Sequence, residues 1–500
     1  MNKIKKITNN LITPGGTLSQ RVVKSGFWVF FLRIVNQCFS LLRLIILARI
    51  LSPNDFGLMG IALLTMSTLE TFSQTGFQQA LIQKKEDIKS YLDSAWTFLI
   101  LRGFVLFVIL YFIAPYAAAF FNTPEAKPII RVIGFSILFQ AFTNIGIIYF
   151  KKELEFNKEF IYQLTGTLAD FIVAISAVLI LRNVWALVLG LLAGNITRCF
   201  VSYLIHPYRP RLNFALKKVK ELFGFGKWIM TSSILVFLIT QGDDIFVGKL
   251  LGTTALGFYQ LAYRISNLPA TEITHVISQV TFPAYSKLQD NIPKLREAYL
   301  KVLQFTTFLS FPIAGLIFIL SPDFTKIFLG EKWMPMVPAM QVLVLWGAIR
   351  SIGATTGPIF QGMGRPSISA NIQFVQLVLL YILIYPLSIQ WEILGTSIAV
   401  VCSALIANLI SIYVVIKITK CDTWNLCKAI VLPLINISIM VFCMFIIKVY
   451  WFNIIELLEF FLLIIFGTMI YFCIAFLFEK VFNYRIKFIK EILISPIKEL

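Results

Sequence analysis

Five polar residues interrupt an apolar run near the start of the chain. Arg33, Asn36, Gln37, Ser40 and Arg43 follow one another at steps of three and four, which puts them on one face of a helix. Arginine presents a planar fork of donors suited to phosphate oxygens, and amides can hydrogen-bond hydroxyl-rich groups. A second stripe of the same period, Gln260, Tyr263, Arg264, Asn267, Thr271, Thr274, His275 and Ser278, lies further along. A third comprises Ser67, Glu70, Thr71, Gln74 and Gln78. A charged residue at the centre of a lipid-buried helix costs about 2.5–3.5 kcal/mol on insertion scales, so such residues face a bundle interior or a watery cavity. Arg33, Arg43, Arg264, Arg350, Asn36, Gln37 and Asn267 are therefore the candidates for binding an anionic, polar substrate. Proton movement would need a titratable group; Glu70, Asp170, Asp243, Asp244, Glu272 and His275 are the candidates. Each has a structural alternative. Arg33 and Arg43 could pair with an acid inside one lobe, Glu70 and Asp170 with Arg102 or Arg198, and Asp243 and Asp244 could cap or ion-pair near an interface. His275 could be a satisfied structural histidine.

The elements that must position these residues are apolar helices. The 500 residues are 58% hydrophobic, with a mean hydropathy of +0.82, outside the range of soluble globular proteins. Windows long enough to cross a bilayer, about 20 residues each, predict about fourteen spans. The first six lie at 26–50, 56–81, 94–121, 129–150, 160–181 and 184–205. The next six lie at 223–250, 257–285, 299–321, 336–361, 367–389 and 392–416. A last pair lies at 428–450 and 457–478.

The chain also repeats itself at an offset of about 200 residues. LARILSPNDFGLMGIA at Leu47–Ala62 aligns with VGKLLGTTALGFYQLA at Val247–Ala262, so that Gly57 falls on Gly257 and Leu51 on Leu251; upstream, Gly26 falls on Gly226 and Trp28 on Trp228. Six spans per copy make the repeats parallel. A duplication of this kind in a membrane chain implies two lobes that rock about a site between them, and equivalent polar stripes imply a hydrophilic cavity there. The expected organisation is a cytoplasmic segment 1–25, a first lobe 26–205, a basic connector 206–221, a second lobe 222–416, an appended pair 428–479 and a basic tail 480–500.

The net charge of +19 would suit nucleic acid, but its distribution argues against such a partner. With the N-terminus inside, about 30 Lys and Arg fall on cytoplasmic segments and about 7 outside. Both termini are then expected in the cytoplasm. No cleavable signal peptide is visible in Met1–Lys24. The seven cysteines are scattered and match no metal motif. Pairs of glycines at 190/194 and 353/357 form GxxxG patterns, expected at close helix contacts. Pro115, Pro269, Pro312 and Pro358 lie within spans and are expected as kinks or hinges. No nucleotide-binding loop, HExxH or nucleophile elbow is present, so neither a catalytic residue nor a metal site is expected. The longest outer loop, Pro322–Pro335, has about 14 residues, too few for a core of its own.

RLIILARILSPNDFGLMGIALLTMSTLETFSQTGFQQALIQ at Arg43–Gln83 resembles the opening of the polysaccharide transporter family, the Wzx-type flippases of the multidrug/oligosaccharidyl-lipid/polysaccharide superfamily. FPAYSKLQ at Phe282–Gln289 and QGMGRP at Gln361–Pro366 resemble its colanic and teichuronic acid exporter branch. The resemblance implies an all-α membrane protein of two six-helix bundles in a V, plus a C-terminal helix pair. It implies a flippase for undecaprenyl-pyrophosphate-linked oligosaccharide in the bacterial inner membrane, serving surface-polysaccharide (O-antigen or lipopolysaccharide type) biosynthesis. Its implied partners are that lipid-linked oligosaccharide, membrane lipids, and a polymerase with its chain-length machinery. No cofactor is implied beyond a coupling proton or sodium ion. A weaker likeness to the lipid II flippase family points to Arg43 and Arg264 as cavity arginines. Leu44 stands where that family has an acid, and Asn371 and Thr396 only loosely match its cation site, so sodium coupling is not supported.

Two other readings compete. A drug or cation antiporter of the same superfamily would need an acidic cavity, whereas this chain carries intramembrane arginines. An integral-membrane polysaccharide polymerase or ligase would need a large outer loop.

Overall fold

The computed structural model describes residues 18–83, 88–153, 155–268, 281, 284–451 and 456–482. Glu272 and His275, expected above as coupling candidates, lie outside these residues. Among the described residues the regular structure is helical, with no strand. The helices are α1 (Leu18–Ile50), α2 (Pro53–Phe72), α3 (Phe77–Gln83), α4 (Lys89–Phe120), α5 (Ala126–Phe142), α6 (Ile148–Lys152), α7 (Phe156–Leu181) and α8 (Trp185–Ile205). They continue with α9 (Leu216–Leu250), α10 (Thr253–Ser266), α11 (Ile292–Phe324), α12 (Val337–Gly362), α13 (Pro366–Thr419), α14 (Thr423–Trp451) and α15 (Leu457–Phe482).

Among the described residues nine helices are long and apolar enough to cross a membrane, or ten if the pair bent by 67° at α5–α6 counts as one span. Every expected window coincides with a helix in whole or in part. The windows 367–389 and 392–416 both fall on α13. That helix is broken by non-helical backbone at Trp391 and Glu392, and the Ser388 and Thr396 hydroxyls meet across the turn at 2.7 Å. The window 56–81 is not continuous. Ser73–Gly76 leaves the helix, with Gly76 at φ 65°, a conformation that glycine adopts without steric cost.

The LSPND segment makes the sharp turn between α1 and α2. The Ser52 side chain accepts from the Asp55 N–H at 3.2 Å, and the Asp55 carboxylate accepts from the Ser52 N–H at 2.9 Å. This is a capping box with Pro53 at the first turn. The other Asp55 oxygen accepts from the Val184 N–H at 3.1 Å, tying the start of α8 to the same turn.

The contacts divide the chain into two compact units, Met1–Gly257 and Phe258–Leu500. The expected lobe boundary at 206–221 and this division differ by α9, which packs on α2, α3 and α4. In the first unit α7 and α8 lie together, as do α4 and α5, and α1 lies on α7. Gly190 and Gly194 make the expected close contact: a methyl on either would press into Asp170, and Ala174 or Gly166 beside it. Also within the first unit, the repeat-related glycines meet. A methyl on Gly57 would collide with the Thr253 carbonyl, and one on Gly257 with the Pro53 carbonyl.

In the second unit a core of Tyr285, Tyr299, Leu303, Phe311, Ile359 and Phe360 joins α11 to α12. Here the GxxxG expectation holds only in part: Gly353 faces Asn408, while Gly357 has open space where a side chain would be. The appended pair α14–α15 docks on α11. Lys448 pairs with Asp323 and donates to the Ile319 carbonyl at 3.2 Å, and the Tyr471 hydroxyl donates to the Phe308 carbonyl at 3.1 Å. Pro115, Pro312 and Pro358 all lie within continuous helices.

Candidate functional site

The stripe on α1 is engaged largely by α7. Arg43 Nη2 lies 2.9 Å from Asp170 Oδ1, and the Thr167 hydroxyl donates to Asn36 Oδ1 at 3.0 Å. Both partners come from one unit, and Arg43 is a partner of Asp170 beside the expected Arg102 and Arg198. Arg198 donates to Asn195 at 3.3 Å. Arg33 and Gln37 are half-buried.

Arg102 of α4 serves the break after α2. A helix end leaves carbonyls without intrahelical partners, and the guanidinium supplies them. Its Nε donates to the Ser73 carbonyl at 2.8 Å, and its Nη2 to the Glu70 carbonyl at 3.0 Å and the Ser73 hydroxyl at 2.9 Å. Around it lies a cavity of about 380 Å³ lined by Glu70, Thr71, Gln74, Gln78, Arg102 and Gln140, among others. The polar stripe read at 67–78 thus converges, except for Ser67, whose hydroxyl donates back to the Leu64 carbonyl at 3.1 Å. A neighbouring cavity of about 190 Å³ shares Gln78, Leu99 and Gln140 and reaches Lys151, Glu159 and Gln163.

Asp243 and Asp244 are buried on α9, and Asp243 accepts from the Asp244 N–H at 3.0 Å. In the second unit Arg350 lies over the Trp346 ring at 5.1 Å and donates to Asn267 at 3.3 Å. Tyr263 of α10 packs on Trp346 with the rings tilted by 39° and centroids 4.9 Å apart. The predicted pair Arg350 and Asn267 therefore comes together, on an aromatic support that the sequence reading did not include. Arg264 is exposed near the end of α10. Thr396 is buried and Asn371 exposed.

The basic connector is laid along the first unit. The Tyr208 hydroxyl donates to Asp93 at 2.6 Å, the Arg211 N–H to the same carboxylate at 2.9 Å, and the Asn213 N–H to Thr97 at 2.8 Å. The Tyr208 N–H donates to His206 Nδ1 at 3.2 Å, and the His206 ring stacks on Tyr149 at 5.7 Å. Burial, with Lys158 adding to it, holds His206 below the usual histidine range. Burial and then Asp93 push the Tyr208 phenol up. Sequence reasoning noted the connector's charge but not this docking, which depends on Asp93, an acid with nothing local to mark it.

Proteins of similar sequence match much of this chain. The lipopolysaccharide biosynthesis protein WzxC of Escherichia coli is 26% identical over 359 residues, covering 71% of this chain and 72% of that one. The teichuronic acid biosynthesis protein TuaB of Bacillus subtilis is 27% identical over 297 residues, covering 59% and 61%. Among solved structures, the inward closed lipid II flippase MurJ superposes with a TM-score of 0.74 at 15% identity, covering 92% of this chain and 99% of that one. An inward-facing multidrug transporter of the MATE family gives 0.61 at 17%, covering 77% and 96%. At such identities the likeness speaks for the fold alone. Residues 46–338, more than half of the chain, match the family described as polysaccharide biosynthesis protein, and the chain belongs to that family.

Proposed function

We propose that this protein is a transporter, not an enzyme, and that it flips polyprenyl-pyrophosphate-linked oligosaccharide repeat units across the cytoplasmic membrane for surface-polysaccharide synthesis. The observation that carries the reading is the set of arginines and amides held within apolar helices of a chain from this family. Arg350, held over the Trp346 ring and donating through Nη1 to Asn267, presents a guanidinium with restricted freedom, the form that recognises phosphate oxygens well. Arg43 is shared with Asp170 and would engage phosphate by exchanging that partner. Named relatives support the same class of cargo: a succinoglycan biosynthesis transport protein of Rhizobium meliloti is 24% identical over 324 residues.

Alternating access moves a polar head without a continuous pore. Protons coupled to it would load on Glu70, Asp170, Asp243 or Asp244, since arginine does not titrate. A polymerase and chain-length machinery would receive the product outside. The test is the lipid-linked pool in a deletion strain. Complete repeat units should accumulate on the inner leaflet, whereas units reaching the surface singly would point to a polymerase defect and overturn the reading.

A further inference from the structure

We infer that the polar groove at the break between α2 and α3 is a carbohydrate-binding subsite, formed within the first unit and separate from the phosphate-binding arginines. The inference rests on the flippase reading above.

The geometry begins with the interrupted helix. Arg102 spends its Nε and Nη2 on the Ser73 and Glu70 carbonyls and the Ser73 hydroxyl. Glu70 and Arg102 both line the cavity, so the arginine's charge has a carboxyl group beside it. Apart from Arg102 Nη1, a ligand meets Thr71, Gln74 and Gln78 from the broken helix and Gln140 from α5. Each of these side chains both donates and accepts hydrogen bonds. Gln78 and Gln140 are exposed where they border the groove.

Ligand classes can be sorted by this lining. An anion would find a guanidinium with only Nη1 left to donate and a carboxyl group beside it. A metal ion would need several anionic or imidazole ligands, and no group of three His, Cys, Asp or Glu capable of holding one occurs among the described residues. An apolar tail would leave the amides unsatisfied, at a cost of a few kcal/mol each in an apolar surrounding. A sugar ring offers uncharged hydroxyls that alternate as donors and acceptors, which matches neutral amides and hydroxyls. The volume of about 380 Å³ lies in the range of small-molecule sites, roughly 300–1,000 Å³. The adjoining cavity of about 190 Å³ continues the same chemistry. There Gln163 is held by the Glu159 carboxylate at 2.9 Å, so that the groove can follow a glycan beyond one ring. The groove lies at the connector end of the bundle, since α4 bears both Asp93, which holds Arg211, and Arg102. On the orientation expected from loop charge this end is cytoplasmic, where the loaded carrier is made.

The experiment compares two probes on the purified full chain in nanodiscs. One is the carrier-linked repeat unit extracted from cells lacking this protein; the other is undecaprenyl pyrophosphate. The wild type should bind the glycosylated carrier more tightly than the bare one by about tenfold. The variant Q78A/Q140A removes two exposed amides and should fold as the parent does, checked by its melting midpoint. It should lose at least about fivefold of that preference while its affinity for the bare carrier is unchanged. Retention of the full preference by the variant, or equal binding of both probes by the wild type, would overturn the groove while leaving the flippase reading standing. Failure of the wild type to bind either probe would remove the flippase reading and the groove with it. If the melting midpoint falls, Q78A alone is measured under the same criteria.

Discussion

Arg43 on α1 and Asp170 on α7 are ion-paired at 2.9 Å, and Asp170 rests at the same time against Gly190 of α8. One carboxylate therefore organises three helices of the first unit. The pair is about a quarter exposed on each side, so its coupling should be modest. A double-variant cycle with R43A and D170A should give an interaction of about 1–2 kcal/mol in stability. Thermal melts of the four proteins measure it; strictly additive shifts would mean that the two charges act independently. For export, R43K should restore less than half of the activity lost in R43A, because lysine lacks the fork.

Orientation follows from loop charge and is open to direct test. Reporter fusions at Asn122 and Lys332 should read as outside, and fusions at Lys152 and Lys217 as inside. Reversed labelling at either pair would place the groove at the opposite face.

The connector should loosen in acid. His206 is held below its ordinary value of 6.5 by burial and by Lys158, with Glu155 opposing and Arg209 adding to the depression. A histidine depressed in the folded state folds best neutral. Its docking is complete above 6.5 and weakens as pH falls below that value towards the folded-state pKa. Protonation would also remove the Nδ1 acceptor used by the Tyr208 N–H. Hydrogen exchange at Tyr208, Arg211 and Asn213, corrected for intrinsic rates, should quicken several-fold between about pH 7.5 and about pH 5.5. H206Q should show a flat profile; an identical profile for H206Q and wild type would mean that His206 is not the source.

Lys448 anchors the appended pair through Asp323 and the Ile319 carbonyl. K448A leaves a mostly buried carboxylate without its partner and should destabilise the pair by about 1–3 kcal/mol. Limited proteolysis should release the α14–α15 segment faster from K448A than from the parent. Unchanged cleavage would mean that apolar packing by Phe308, Met440, Phe460 and Tyr471 holds the segment alone.

Hydropathy and the repeat were enough to read the helical fold and the position of nearly every helix, because twenty apolar residues in a row leave a chain few alternatives. The stripe at Glu70–Gln78 was legible for the same reason: polar groups in such a run stand out. Its discontinuity was not read, although Ser73–Gly76 is composed of turn-forming and polar residues. Partners across helices were harder to read. Asp170 could have matched any of several arginines, and Gln140 carries no periodic signal on α5. Trp346 and Tyr263 look like ordinary core aromatics until Arg350 is seen above one of them. Pairing depends on helix rotation and neighbour choice, which a single sequence does not encode locally.

The meeting of Gly57 with Thr253 and of Gly257 with Pro53 has a consequence for substitutions. Residues 53 and 57 of one copy touch residues 257 and 253 of the other, so each contact has its mirror. Such reciprocity is the hallmark of an isologous interface between identical subunits. Gly57→Ala and Gly257→Ala would each press a methyl into a backbone carbonyl of the other copy, so the two substitutions should carry matching costs.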